Sequence, residues 1–213
     1  MKLLIISILM FFTAVNSYSQ TIDQLFVNIP DDMVPQLESA WRKDLIDLYN
    51  AGKTATLENT MHGKSTLLKM SDNYLLLNTT ERSSIELKLL PLINNTNIIC
   101  MVTTVYAPVA DSQVKFYSTD WKQLPDNEIF TAPNLNKFIN TEAGNNSPDY
   151  IDAMASLDIC LMKYSLNEDN TDLTADFTTP RYLDEESFRK AVPFLIKKPL
   201  VYEWRAGSFR EKF

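Results

Sequence analysis

The chain has 213 residues, 45% of them hydrophobic and 11% aromatic, and its 20 basic against 27 acidic side chains give a formal net charge of −7. Its basic groupings are the pairs Arg42-Lys43, Arg189-Lys190 and Lys197-Lys198, which excludes the clustered cationic surface that nucleic acid or an anionic membrane requires. Four scattered glycines, Gly52, Gly63, Gly144 and Gly207, exclude a phosphate-cradling loop and a nucleophile elbow, so no nucleotide or dinucleotide cofactor is expected.

The chain opens with Lys2, an apolar run from Leu3 through Val15, and the small or polar stretch Asn16 to Gln20. That order is the layout of a secretory signal, with Ser17 and Ser19 where signal peptidase requires small side chains. A spanning helix needs roughly 20 consecutive apolar residues, more than this run offers. The expectation is a leader over residues 1–19, cut before Gln20, and an acidic body over residues 20–213 in the periplasm or outside the cell. No later stretch is apolar enough to insert into a membrane.

Residues 20–213 are expected to form one domain, since length permits one core or two small ones and no linker interrupts the pattern. Leu37, Trp41, Leu45, Leu48 and Tyr49 recur at helical spacing. They predict a long amphipathic helix from about Pro35 to Ala51, stopped by Gly52. His62, the sole histidine, sits beside Gly63 in a turn; one histidine permits no two-histidine metal site and leaves any Ser-His or Cys-His arrangement resting on this residue alone, where a solvent-facing loop histidine is the default reading. Ser71-Asp72-Asn73, which superficially matches one of the penicillin-recognising signatures along with Ser187 to Lys190, fits a hairpin turn between Met70 and Tyr74 instead. From Ser84 to Leu90, Ile85, Leu87 and Leu89 alternate with Ser84, Glu86 and Lys88, the pattern of a strand with one wet face.

Further along, Val114 and Phe116 alternate with Lys115 and Tyr117, and Leu173, Ala175 and Phe177 with Thr174, Asp176 and Thr178. Between these strands, residues 131–148 are rich in Asn and Pro and read as a surface loop with one helical turn at Leu135 to Phe138. A short helix is expected at Asp149 to Ser156. Another is expected after Asp184 as N-cap, carrying Phe188, Val192 and Leu195 on one face until Pro193 ends or bends it. The fold class is therefore α+β: a mainly antiparallel sheet with the long N-terminal helix and one or two further helices packed on one side. A second copy of one unit is an alternative, because Ile99-Cys100-Met101 precedes Phe116 much as Ile159-Cys160-Leu161 precedes Phe177.

Cys100 and Cys160 are a candidate disulfide in an oxidising compartment, and two separate buried thiols are the other reading. The acidic runs Asp31-Asp32, Glu168 to Asp172 and Asp184 to Glu186 lack the glycine-turned loop of an EF-hand, so no metal site is expected. Two of them suit the first turns of helices.

One stretch is more particular. Leu90-Pro91, Ile99-Cys100, Thr103 to Val105, Ala107-Pro108, Asp111-Ser112, Phe116-Tyr117 and Trp121, with Arg42 to Asp47, resemble an exported Bacteroidales family of unknown function (domain of unknown function 3256) over most of the chain. That resemblance implies an envelope or secreted location and brings no activity or catalytic residue. Physically the stretch predicts a hairpin in which Asp111 and Ser112 bond the turn. Tyr106, Tyr117 and Trp121 form a candidate aromatic binding face on it. The functional expectation is a non-enzymatic module that binds an envelope protein or a cell-surface glycan, and the competing one is a hydrolase whose carboxylates come from different strands.

Overall fold

The structure is a computed structural model that describes residues 20–140 and 147–212; the expected leader at residues 1–19, and residues 141–146 of the expected loop, lie outside the described residues. The chain begins with helix α1 (Ile22–Val27), which buries Ile22, Leu25 and Phe26. Tight turns at Pro30 to Met33 and Val34 to Leu37 follow. They lead into helix α2 (Ser39–Asn50), which buries Arg42, Leu45 and Ile46. The expected long helix is therefore shorter and starts at Ser39 instead of near Pro35. Its first turn fails because the Leu37 carbonyl accepts from Arg42 Nη1 at 2.8 Å, and Glu38 is extended as the N-cap. Its end is as the sequence dictates: Gly52 takes φ +66°, and Gly52 N–H and Lys53 N–H close on the carbonyls of Tyr49 and Leu48, a left-handed cap open to glycine at little steric cost.

Six strands then run up and down in chain order: β1 (Thr56–Glu58), β2 (Lys64–Met70), β3 (Tyr74–Thr80), β4 (Ser83–Pro91), β5 (Asn97–Tyr106) and β6 (Ala110–Ser118). All are antiparallel neighbours. One face carries Leu75, Leu77, Ile85, Leu87, Ile99 and Tyr117 into a core with α1 and α2. The opposite face carries Tyr74, Leu90, Cys100, Val102 and Phe116 into a second core. The expected wet face of β4 is thus absent. Ser84 and Lys88 are each 1% exposed and Glu86 6%, because another sheet covers them.

That other sheet has four antiparallel strands, β7 (Met162–Leu166), β8 (Leu173–Phe177), β9 (Leu200–Arg205) and β10 (Ser208–Glu211), in the order β10-β9-β8-β7. Its edge strand β7 contacts β6, β5 and β4 in turn, so it lies across the larger sheet. Met162, Tyr164 and Leu166 bury their side chains, while Lys163 and Ser165 alternate with them. Phe130, which follows the short helix α3 (Asp126–Ile129), packs edge-on against Tyr164, Tyr202 and Phe209 at 5.1 to 5.9 Å. Helices α4 (Pro148–Ala155) and α5 (Glu185–Ala191) add Ala153 and Ala191 to this core.

The α+β class with antiparallel sheets stands, but as two sheets with helices distributed between two cores, where packing on one side was expected. The echo between Cys100 and Cys160 falls on two hairpins: Cys100 pairs with Phe116 across β5 and β6, and Met162 pairs with Phe177 across β7 and β8.

Candidate functional site: an apolar groove with a basic rim

The three aromatic residues expected to share a binding face do not share one. Tyr117 and Trp121 come together with ring centroids 5.6 Å apart, but both are buried in the core beneath α1 and α2. Trp121 Nε1–H donates to the Leu25 carbonyl at 3.2 Å, so its polar edge is used internally. Strand alternation sends Tyr106 to the other face. There it is 40% exposed, with its hydroxyl 3.1 Å from Ser84 Oγ and Lys163 Nζ 5.9 Å from its ring centroid.

The cysteines are also apart in character. Both thiols are free; Cys100 is fully buried on β5 and Cys160 is exposed, so the candidate disulfide is not formed. Burial pushes both thiols above their ordinary range, Cys100 far more. His62 lies in the β1–β2 turn with φ 60°, its side chain almost fully exposed and 3.8 Å from Glu58. Among the described residues, no three of His, Cys, Asp and Glu cluster closely enough to hold a metal ion. Asp184 caps α5, accepting from the Glu186 and Ser187 N–H groups at 3.0 Å, the helix-start role its position implied.

Asp111 and Ser112 bond no turn. They lie within β6 and reach across to the edge of β7, where Met162 N–H donates to Asp111 Oδ1 at 3.2 Å and Tyr164 N–H to Ser112 Oγ at 3.1 Å. The third outward amide, Leu166 N–H, donates to Glu86 Oε2 at 2.9 Å. Glu86 Oε2 also accepts from the Tyr74 hydroxyl at 3.1 Å. Burial raises the Glu86 carboxyl above its ordinary value and, with that carboxyl beside it, raises the Tyr74 phenol. Lys88, two residues along, donates to Asn73 Oδ1 and the Glu168 carbonyl at 3.0 and 2.8 Å. A buried carboxyl with a shifted titration is often a catalytic signature. Here the three β7 amides and the Lys88–Glu168 contact join one sheet to the other, while Tyr74 and Asn73 brace Glu86 and Lys88 from within the larger sheet, so the cluster seals an edge strand that would otherwise present unpaired amides.

The surface feature suited to a ligand lies at the end of β8. Phe138, on the 3-10 turn Leu135–Phe138 that the sequence marked, stacks on Phe177 with centroids 5.2 Å apart. Ile196 N–H donates to the Phe138 carbonyl at 2.8 Å and Asn140 N–H to that of Phe194 at 2.7 Å, which ties the segment after α5 to the one before α4. These rings, with Val192 and Leu195, line a groove of about 410 Å³, within the range of roughly 300–1,000 Å³ usual for small-molecule sites. Phe188 and Ile196 also line it and remain 41% and 42% exposed. Arg181, Lys197 and Lys198 supply its cations and Asp176 its one carboxylate, which pairs with Arg181 at 2.8 Å. A second depression, between Met33 to Gln36 and the ends of β3 to β5, interleaves Met33, Pro35, Ile85 and Val105 with Thr79, Thr80, Ser83 and Thr103.

The sequence marked Phe138, Phe177, Phe188, Val192 and Leu195 as element-forming residues only. Their convergence depends on three segments far apart in the chain, and the adjacent Lys197-Lys198 pair beside an apolar run was the one local trace of it.

Comparison with known proteins shows similarity both to a family and to a solved structure. The model of a family described as protein of unknown function (DUF3256) matches residues 14–209. A solved structure described as a domain of an uncharacterized protein from Porphyromonas gingivalis W83 is similar at 31% identity and a TM-score of 0.81, covering 90% of this chain and 98% of that one. Among curated proteins, none matches.

Proposed function

The chain belongs to the DUF3256 family of proteins of unknown function, and from that premise, which carries no assigned activity, we propose that it is an exported, non-catalytic binding module whose ligand occupies the groove at the end of β8. One observation carries the reading: Phe188 and Ile196 stay exposed over a preformed apolar floor, where an unliganded surface of this kind costs solvation free energy. The groove's single carboxylate is engaged by Arg181, and the buried Glu86 carboxyl is committed to Tyr74 and Leu166. Neither is free to act as a general acid or base in an open site. Export rests on the charge and apolar order of residues 1–19. No helix among the described residues is long and apolar enough to cross a membrane.

The neutral apolar fluorophore N-phenyl-1-naphthylamine tests the groove. Saturable binding to the chain from Gln20 onward, lost in a Phe188→Ser/Ile196→Ser double variant of unchanged circular dichroism, is expected. Unsaturable binding, or binding indifferent to the double variant, refutes the groove. N-terminal sequencing of protein recovered from cells tests export: a start at Gln20 is expected, and a start at Met1 refutes it.

A further inference from the structure

Resting on that reading, we propose that the groove takes a single-chain amphipathic carboxylate, its acyl chain along the Phe138, Phe177, Phe188 and Ile196 side chains and its head group on Lys197 and Lys198. The chain carries a net charge of −7, yet the lining reverses sign, with three cations against one carboxylate. Arg181 spends part of its guanidinium on Asp176. Lys197 and Lys198 make no ion pair with any carboxylate among the described residues, so both ammonium groups are available to an incoming anion.

The lining also argues against other occupants. It contains no neutral hydrogen-bonding side chain, no Ser, Thr, Asn, Gln or Tyr, so the hydroxyl array of a glycan would lose hydration without replacement. A peptide strand would need free backbone groups along a wall, but Ile196 N–H is committed to Phe138 O, and the Ile139–Leu195 bridge closes the same seam. An apolar body with one anionic end needs neither. Its methylenes replace water over Phe188 and Ile196 and its head meets the two lysines, which are best used as point charges.

The test is competition against bound N-phenyl-1-naphthylamine at ligand concentrations below micelle formation. Dodecanoate should displace the dye at concentrations about 5-fold lower than dodecanol does, the scale expected when two exposed charge contacts of about 0.5 kcal/mol each are added to the same apolar chain. Dodecyltrimethylammonium should be the weakest. A Lys197→Ser/Lys198→Ser variant should still bind the dye, which shows an intact groove, while its preference for dodecanoate over dodecanol disappears. Added salt should erode that preference in the parent protein. Equal displacement by dodecanol, or a preference that survives loss of both lysines, overturns the carboxylate while leaving the groove in place. Displacement by maltoheptaose, or by dodecyl phosphate at far lower concentration than dodecanoate, overturns it by assigning a different head group. Absence of dye binding by the parent protein overturns the groove and the carboxylate together.

Discussion

Arg42 is the largest fully buried side chain among the described residues. Its guanidinium donates to the carbonyls of Leu37, Val27 and Ile29 at 2.8, 3.0 and 2.7 Å and to Asp31 Oδ1 at 2.9 Å. Two of those acceptors, Ile29 and Leu37, are backbone groups of the segment linking α1 to α2 and the third, Val27, ends α1, so the arginine stands in for the regular structure that this segment lacks. The Asp31 side chain is 72% exposed, and an exposed partner contributes under about 1 kcal/mol. Arg42→Ala is therefore expected to cost about 3–5 kcal/mol in urea unfolding, the scale for disrupting a buried charged network. Asp31→Asn should cost less than about 1 kcal/mol. A comparable loss from the two substitutions would show that the ion pair, and not the carbonyl cradle, holds the segment. The thiols give a second test at this scale. Cys160 is exposed and Cys100 buried, so Ellman's reagent should titrate one thiol in the native protein and two in denaturant. A mass gain of two hydrogens on reduction would show a disulfide instead.

At the scale of elements, β4 illustrates what periodicity conveys. Its alternation correctly separates Ile85, Leu87 and Leu89 from Ser84, Glu86 and Lys88, but a period of two says only that the faces differ. What covers the polar face is written 80 residues away, at Leu166 and Glu168. Partners 51 and 52 residues away likewise explain why Asp111 and Ser112 read as turn residues: their side chains suit a turn and equally suit an edge strand's amides. Caps, by contrast, are local, and Asp184 and Gly52 were readable because donor and acceptor lie within a few residues.

Glu86 turns this contact into a pH dependence. Burial holds its carboxyl above the ordinary value of 4.5, so the folded chain binds that proton more tightly than the unfolded chain does. Its contribution is complete below the ordinary value and is lost as pH rises through the raised folded value. Glu86→Gln keeps an acceptor for Leu166 N–H and removes the titration. Relative to Glu86→Gln, the parent protein should therefore lose urea stability as pH climbs from 4.5 through its raised range and hold level beyond it. Glu86→Ala should be less stable than Glu86→Gln at every pH, by about 1–3 kcal/mol for the orphaned amide. A parent-minus-Gln difference that stays flat with pH would mean the carboxyl titrates as freely as in the unfolded chain.

The described residues are organised around a six-stranded sheet covered on one face by α1 and α2 and, over β4 to β6, on the other by the smaller sheet. The groove belongs to this scale too, which is why the sequence did not display it: Phe138, Phe177 and Lys198 meet only after the smaller sheet and α5 are in place. Because each covering layer removes apolar surface of the same sheet from water, loss of either would expose that surface, and the two cores are expected to unfold as one cooperative unit. The tryptophans report the two sides separately. Trp121 is buried beneath α1 and α2 with Trp41 packed against the same core, and Trp204 is buried between the sheets, donating to the Pro91 carbonyl at 2.7 Å. A Trp204→Phe variant therefore reports the helical side, and a Trp41→Phe/Trp121→Phe variant reports the inter-sheet side. In each variant the urea transition followed by tryptophan fluorescence should coincide with that followed by far-UV circular dichroism, even though the substitutions shift the midpoints themselves. If fluorescence of the Trp204-only variant changes well before the circular dichroism, the smaller sheet melts from a larger sheet that persists. The region 20–213 would then be two units, and the groove would ride on the less stable one.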